Sequence, residues 1–231
     1  MSLLLRTCLA AVALGLFAPS LFAQQQPVAG SAAVAPERAV LVKDVRFSQT
    51  RMNGMSVNPW NRVELVLDAR SNPDPKALNK RWVDRIKVTV TLGFDNKNGK
   101  KNLEEWSFYR ASATVLTMEV NSARSVFFYL PGDIVKRDSL RKDPDVFFVE
   151  LEVAGTPQIL FDAKGLFVAD QKASVSKLLA DKAAFYYVKG FADRGCLTNG
   201  GFLRPHYLVD NLEADVARFS PEFVREDLTS R

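Results

Sequence analysis

The sequence predicts a mainly β protein: an immunoglobulin- or fibronectin-like β-sandwich of about seven or eight strands with a C-terminal helical extension. Three observations predict it. Apolar residues recur with a period of two, as in Val63, Leu65 and Leu67 set against Arg62 and Glu64, or Ile86, Val88, Val90 and Leu92 set against Lys87, Thr89 and Thr91. That is the pattern of a half-buried strand. Turn residues interrupt these runs at intervals of about ten residues, the spacing of a sandwich. Beyond Ala169 the period changes to that of a helix.

The chain has 231 residues and begins with one cation, Arg6, followed by an apolar run that ends in Leu21-Phe22-Ala23. This is the layout of a secretory signal peptide, with cleavage expected after Ala23. The apolar run is too short to span a bilayer and Pro19 interrupts it, so no stable membrane span is expected after cleavage. The expected organisation is a signal peptide at 1–23, a flexible tether at 24–38, a β-sandwich at 39–168, and a helical and irregular extension at 169–231. The tether is rich in Ala, Val, Pro and Gln and has no period.

Each element follows from its own pattern. Ala39–Ser48 reads as the first strand, with Lys43 breaking the alternation and pointing to a sheet edge. Thr50–Pro59 is a loop, anchored by Trp60. The next strands are Trp60–Ala69 and Trp82–Phe94, joined by a segment holding Pro73 and Pro75. Asp95–Lys101 is a hairpin tip. It is a poor calcium loop, because Lys97 stands where an oxygen ligand is needed. Leu103–Arg110, Ala111–Val120 and Ser125–Leu130 continue the sheets. Ser125–Leu130 is apolar on both parities, so it is central or covered. Ile134–Asp143 is a charged loop with a helical turn. Asp145–Val153 is a further strand, and Gln158–Asp162 with Gly165–Val168 complete the sheets. An amphipathic helix is predicted over Ser174–Val188, with Ser174 as N-cap and Gly190 near its end. A short helix is predicted over Asn211–Phe219.

The formal charge of +5 falls to +4 when Arg6 leaves with the signal. Cations and carboxylates are interleaved, which argues against a nucleic-acid partner. Cys8 also leaves with the signal, so Cys196 is the single mature cysteine and no intrachain disulfide forms. Cys196 is a candidate intermolecular thiol.

The search for chemistry yields few candidates, and no cofactor or metal is expected. His206 is the single histidine, and one imidazole with one thiol does not make a usual zinc site. Ser174 and Lys177 match Ser-x-x-Lys, in which a Lys one helical turn from a Ser takes its proton. The companion motifs are missing, and a serine-type hydrolase using Ser174 or His206 is the least favoured reading. Trp60, Trp82 and Trp106 are candidates for a ligand platform, which would make the chain a carbohydrate-binding module with a glycan partner.

Leu41–Phe47, Trp60–Glu64 and Phe127–Leu130, with the signal, the Ala-rich tether and the helical tail, resemble a known group. These are the secreted immunoglobulin-like proteins encoded beside type IV pilus-like genes in verrucomicrobial bacteria. The resemblance covers Ala39–Val168 and carries over no site residue. It implies a non-enzymatic exported binding or structural module, in the periplasm or on the outer cell surface, with envelope or pilus-like assembly proteins as partners.

Overall fold

A computed structural model describes residues 38–52, 57–95, 102–209, 216 and 220–224. The expected signal peptide, all of the tether but Arg38, most of the hairpin tip and nearly all of the Asn211–Phe219 helix lie outside them. Five long strands come first in the chain: β1 (Val40–Thr50), β2 (Trp60–Ala69), β3 (Trp82–Phe94), β4 (Ser107–Glu119) and β5 (Ser122–Leu130). The short helix α1 (Gly132–Arg137) follows, then β6 (Val146–Val153), β7 (Thr156–Pro157), α2 (Lys182–Thr198), β8 (Arg204–Pro205) and β9 (Phe223–Val224).

These strands make two antiparallel sheets, one ordered β1-β2-β5-β8 and the other β7-β6-β3-β4-β9. Val63, Leu65 and Leu67 of the first sheet share one apolar core with Ile86, Val88, Val90 and Val149 of the second. Burial of that parity from both sheets is what drives the layering. β1 lies at an edge, and its register shifts between Val42 and Asp44, the site of Lys43. In β3, Arg85 takes a left-handed φ of 52°. This turns the strand so that Val83 and Ile86, three residues apart, are both buried.

β5 is apolar on both parities because both faces are covered. Val126, Phe128 and Leu130 enter the shared core, while Phe127 and Tyr129 pack with Met52, Trp60, Val209 and Val216. The C-terminal stretch is thus built into the sheets: β8 pairs with β5, and β9 with β4. Beside α1, Asp138 accepts a hydrogen bond from the Tyr109 hydroxyl at 2.5 Å and pairs with Arg137 at 2.7 Å. The Arg137 guanidinium holds the Asp138 carboxyl below its usual range, and burial raises the Tyr109 phenol.

Three expectations are corrected, the first being the strand from Leu103: Leu103–Glu105 wind as a 3₁₀ turn and β4 begins at Ser107. Gln158–Asp162 and Gly165–Val168 are not sheet strands; Phe161 and Phe167 form only an isolated bridge, tilted ring on ring at 4.5 Å. The predicted helix is also displaced. Ala169–Ser174 wind as a 3₁₀ turn, Val175 is extended and bridges to Phe148, and the helix starts only at Lys182. Its cap is Asp181, whose side chain accepts from the Ala184 N–H at 2.9 Å. The helix then runs through Gly190, where a Cβ would meet nothing within 4 Å, and on to Thr198.

Candidate interaction surface

α2 lies on the outer face of the second sheet. Phe185 is buried, at 5.0 Å from Phe148, 5.3 Å from Phe161 and 5.9 Å from Phe167, ring centre to ring centre. Each contact is edge-on or nearly so, the favoured arrangement of aromatic quadrupoles. Gly195 brings the helix against β4: a Cβ there would stand 3.0 Å from Phe108 Cδ2. An ionic layer fixes the rotation of the helix. Lys189 Nζ pairs with both Glu150 oxygens at 2.9 and 2.8 Å, and Arg110 Nη1 with Asp193 at 2.6 Å. Asn199 Nδ2 donates to the Phe108 carbonyl at 3.0 Å and ties down the C-terminal end.

With one face so committed, α2 turns Tyr186, Tyr187 and Leu197 outward, at 54 %, 64 % and 84 % exposure. The segment leading into it exposes Ile159, Leu166 and Leu178. Of eleven exposed large apolar side chains among the described residues, six therefore fall within Ile159–Leu197. Single exposed hydrophobes are ordinary on a protein surface.

The three tryptophans do not form one platform. Trp60 is buried among Met52, Phe127 and Tyr129. Trp106 is half-buried and stacks on Phe108 at 6.2 Å. Trp82 opens β3 and is 40 % exposed. Cys196 is half-buried against the aromatic cluster beneath α2, and burial raises its thiol pKa, with the Arg110 charge nearby offsetting part of the effect. A thiol held protonated is a weak nucleophile. Iodoacetamide at pH 8 is expected to alkylate Cys196 more slowly than a free cysteine. Rates equal to the free amino acid would contradict this packing.

Ser174 is buried at the end of the 3₁₀ turn, Lys177 is exposed, and the residues between them are not helical. The one-turn relation that Ser-x-x-Lys chemistry needs is therefore not formed. His206 faces Ser220, which no local catalytic motif marks in the sequence. Ser220 Oγ lies 3.1 Å from Nε2 and 3.4 Å from Nδ1. An oxygen so nearly equidistant from both nitrogens is aligned with neither. Burial also lowers the His206 pKa from 6.5 to about 4, leaving a weak base at neutral pH. Its evident role is structural: the ring sits edge-on to Phe223 of β9 at 4.7 Å while its neighbour Pro205 pairs with β5.

His206 gives a pH prediction. The unfolded chain binds a proton near pH 6.5 that the folded chain refuses until about pH 4. Stability is therefore full above pH 6.5 and is lost as pH falls through that window. The expected loss is about 2 kcal/mol, less than the full shift implies because the ring keeps some contact with water. Melting curves of His206→Gln should be flatter than those of the parent between pH 6.5 and 4.5. Parallel curves would contradict the assignment.

Among the described residues there is no group of three or more His, Cys, Asp or Glu side chains that could hold a metal ion. No described helix is long and apolar enough to cross a membrane.

No family model matches the chain, and no curated protein matches it by sequence. A solved crystal structure from Akkermansia muciniphila is similar in fold, with a TM-score of 0.51 at 13 % identity over 80 % of this chain and 92 % of that one. At that identity the likeness concerns the fold alone.

Proposed function

We propose that this protein is a non-enzymatic, exported binding or structural module of a cell-envelope or pilus-like assembly, built on an immunoglobulin- or fibronectin-like sandwich. The observation that carries the reading is the outward face of α2 and the segment before it. There Tyr186, Tyr187 and Leu197 stand exposed on a helix whose opposite face is pinned by aromatic and ionic contacts. A rigid helix that presents aromatic side chains needs little reordering to bind, which favours a protein partner. The export-type N-terminus supports an envelope location. The similar fold from Akkermansia muciniphila, a verrucomicrobial bacterium, is in keeping with the sequence resemblance.

The test is recovery of the protein from chemically crosslinked native envelopes. Co-recovery with pilus-like or other envelope assembly components is expected, and it should be lost when Tyr186, Tyr187 and Leu197 are all replaced by Ser. A protein recovered only as a monomer would contradict the proposal.

A further inference from the structure

We propose that the groove beside Trp82 is a binding site for a neutral oligosaccharide, separate from the α2 face. Trp82 pairs with Glu119 at the start of β3, whereas α2 packs on Phe108, which pairs with Gly93 near the other end of that strand. The groove has a volume of about 430 Å³ and is lined by Asn72, Asp74, Lys76, Asn79, Asp84 and Ala154 around the indole. That volume is in the range of small-molecule sites.

The wall of the groove is fixed before any ligand arrives. Asn72 Nδ2 donates to the Trp82 carbonyl, and the Trp82 N–H to the Asn79 carbonyl at 3.4 Å. The Asp74 N–H donates to Asn72 Oδ1 and the Lys76 N–H to Asp74 Oδ1, each at 2.8 Å. Lys80 Nζ donates to the carbonyls of Asp74 and Pro75, each at 2.9 Å. Two non-glycine residues with left-handed backbone, Arg85 at φ 52° and Ala154 at φ 49°, adjoin the same groove and are joined by an N–H to carbonyl bond of 3.1 Å. A preformed wall loses little freedom on binding.

The chemistry of the lining selects the ligand. An exposed indole offers a flat apolar face of the size of a pyranose C–H face. Asp84 is exposed and its carboxylate makes no hydrogen bond or ion pair among the described residues, so it can accept from sugar hydroxyls. The Lys76 ammonium and the Asn79 amide N–H₂ supply donors beside it. Asp74 and Asp84 stand against Lys76 in the lining, with Lys80 and Arg85 adjoining it, so the groove carries no strong field of either sign and suits a neutral glycan rather than a charged one.

The test is calorimetric and fluorescence titration of the purified protein with cellohexaose, chitohexaose and xylohexaose. Saturable binding to at least one is expected, with Kd of about 1 mM or tighter. Trp82→Ala should weaken it at least about tenfold, and Trp82→Phe and Asp84→Asn by less, with the melting temperature of each variant unchanged. Absence of saturable binding to all three up to about 10 mM would overturn the proposal. So would binding that survives Trp82→Ala unchanged, since the saccharide would then lie elsewhere. Neither result bears on the α2 face.

Discussion

Phe185→Ala is expected to release α2 from the second sheet while leaving the sheets themselves folded. Truncating a buried Phe costs about 3–5 kcal/mol. Here the ring is the shared neighbour of Phe148, Phe161 and Phe167. Ala192 is the helix's one further fully buried residue among those described, and Val188, Phe191 and Cys196 pack against the cluster only partly buried. The Lys189–Glu150 and Arg110–Asp193 pairs are partly open to water and cannot compensate. Hydrogen exchange is the direct measurement. Amides of Lys182–Thr198 should lose most of their protection, while those of β2, β3 and β5 keep theirs. Uniform loss across the chain would mean that α2 and the sheets form one cooperative unit.

Gly132→Ala should be the most damaging single-methyl change away from α2. A Cβ at Gly132 would stand 2.3 Å from the Asn58 carbonyl oxygen and 2.8 Å from its carbon. Backbone has no rotamer through which to yield, so α1 or the segment before β2 must move. Overpacking of this kind costs about 1–3 kcal/mol or more. The movement would also break the 2.9 Å hydrogen bond from Asn58 Nδ2 to Asp133. Gly200→Ala is the control, because its Cβ would meet only ordinary contacts at 3.7 and 3.8 Å. Denaturant midpoints should fall clearly for the first variant and far less for the second. Equal midpoints would show that the Asn58 loop yields freely.

The long strands were legible because half-buried β structure writes its burial into alternate residues, as Val63, Leu65 and Leu67 do. The edge position of β1 was legible in Lys43. α2 was misplaced for two physical reasons. Ser174 looked like a cap, yet Val175 is held in extended form by its bridge to Phe148, a contact far away in sequence. Gly190 looked like a terminator, yet helix packing carries the chain past it, and the glycine that matters is Gly195. Its role becomes visible only once Phe108 is known to lie beneath it.

β8 and β9 have two residues each, too short for any period to show. Of the candidate site, the three tryptophans were plain in the sequence, but all three stand at or just before strand starts. Which one faces water is decided by the elements packed over them, namely Val209 and Val216 over the Trp60 cluster and α2 near Trp106.

The central claim is that the outer face of α2 meets a partner in the cell envelope. A photoreactive benzoyl-phenylalanine in place of Tyr187, with a second placed at the exposed Arg124 of the first sheet as control, tests it most directly. Irradiation of intact cells should give an adduct of defined mass from position 187, containing another exported envelope protein, and none from position 124. No adduct from position 187, or the same products from both positions, would contradict the account.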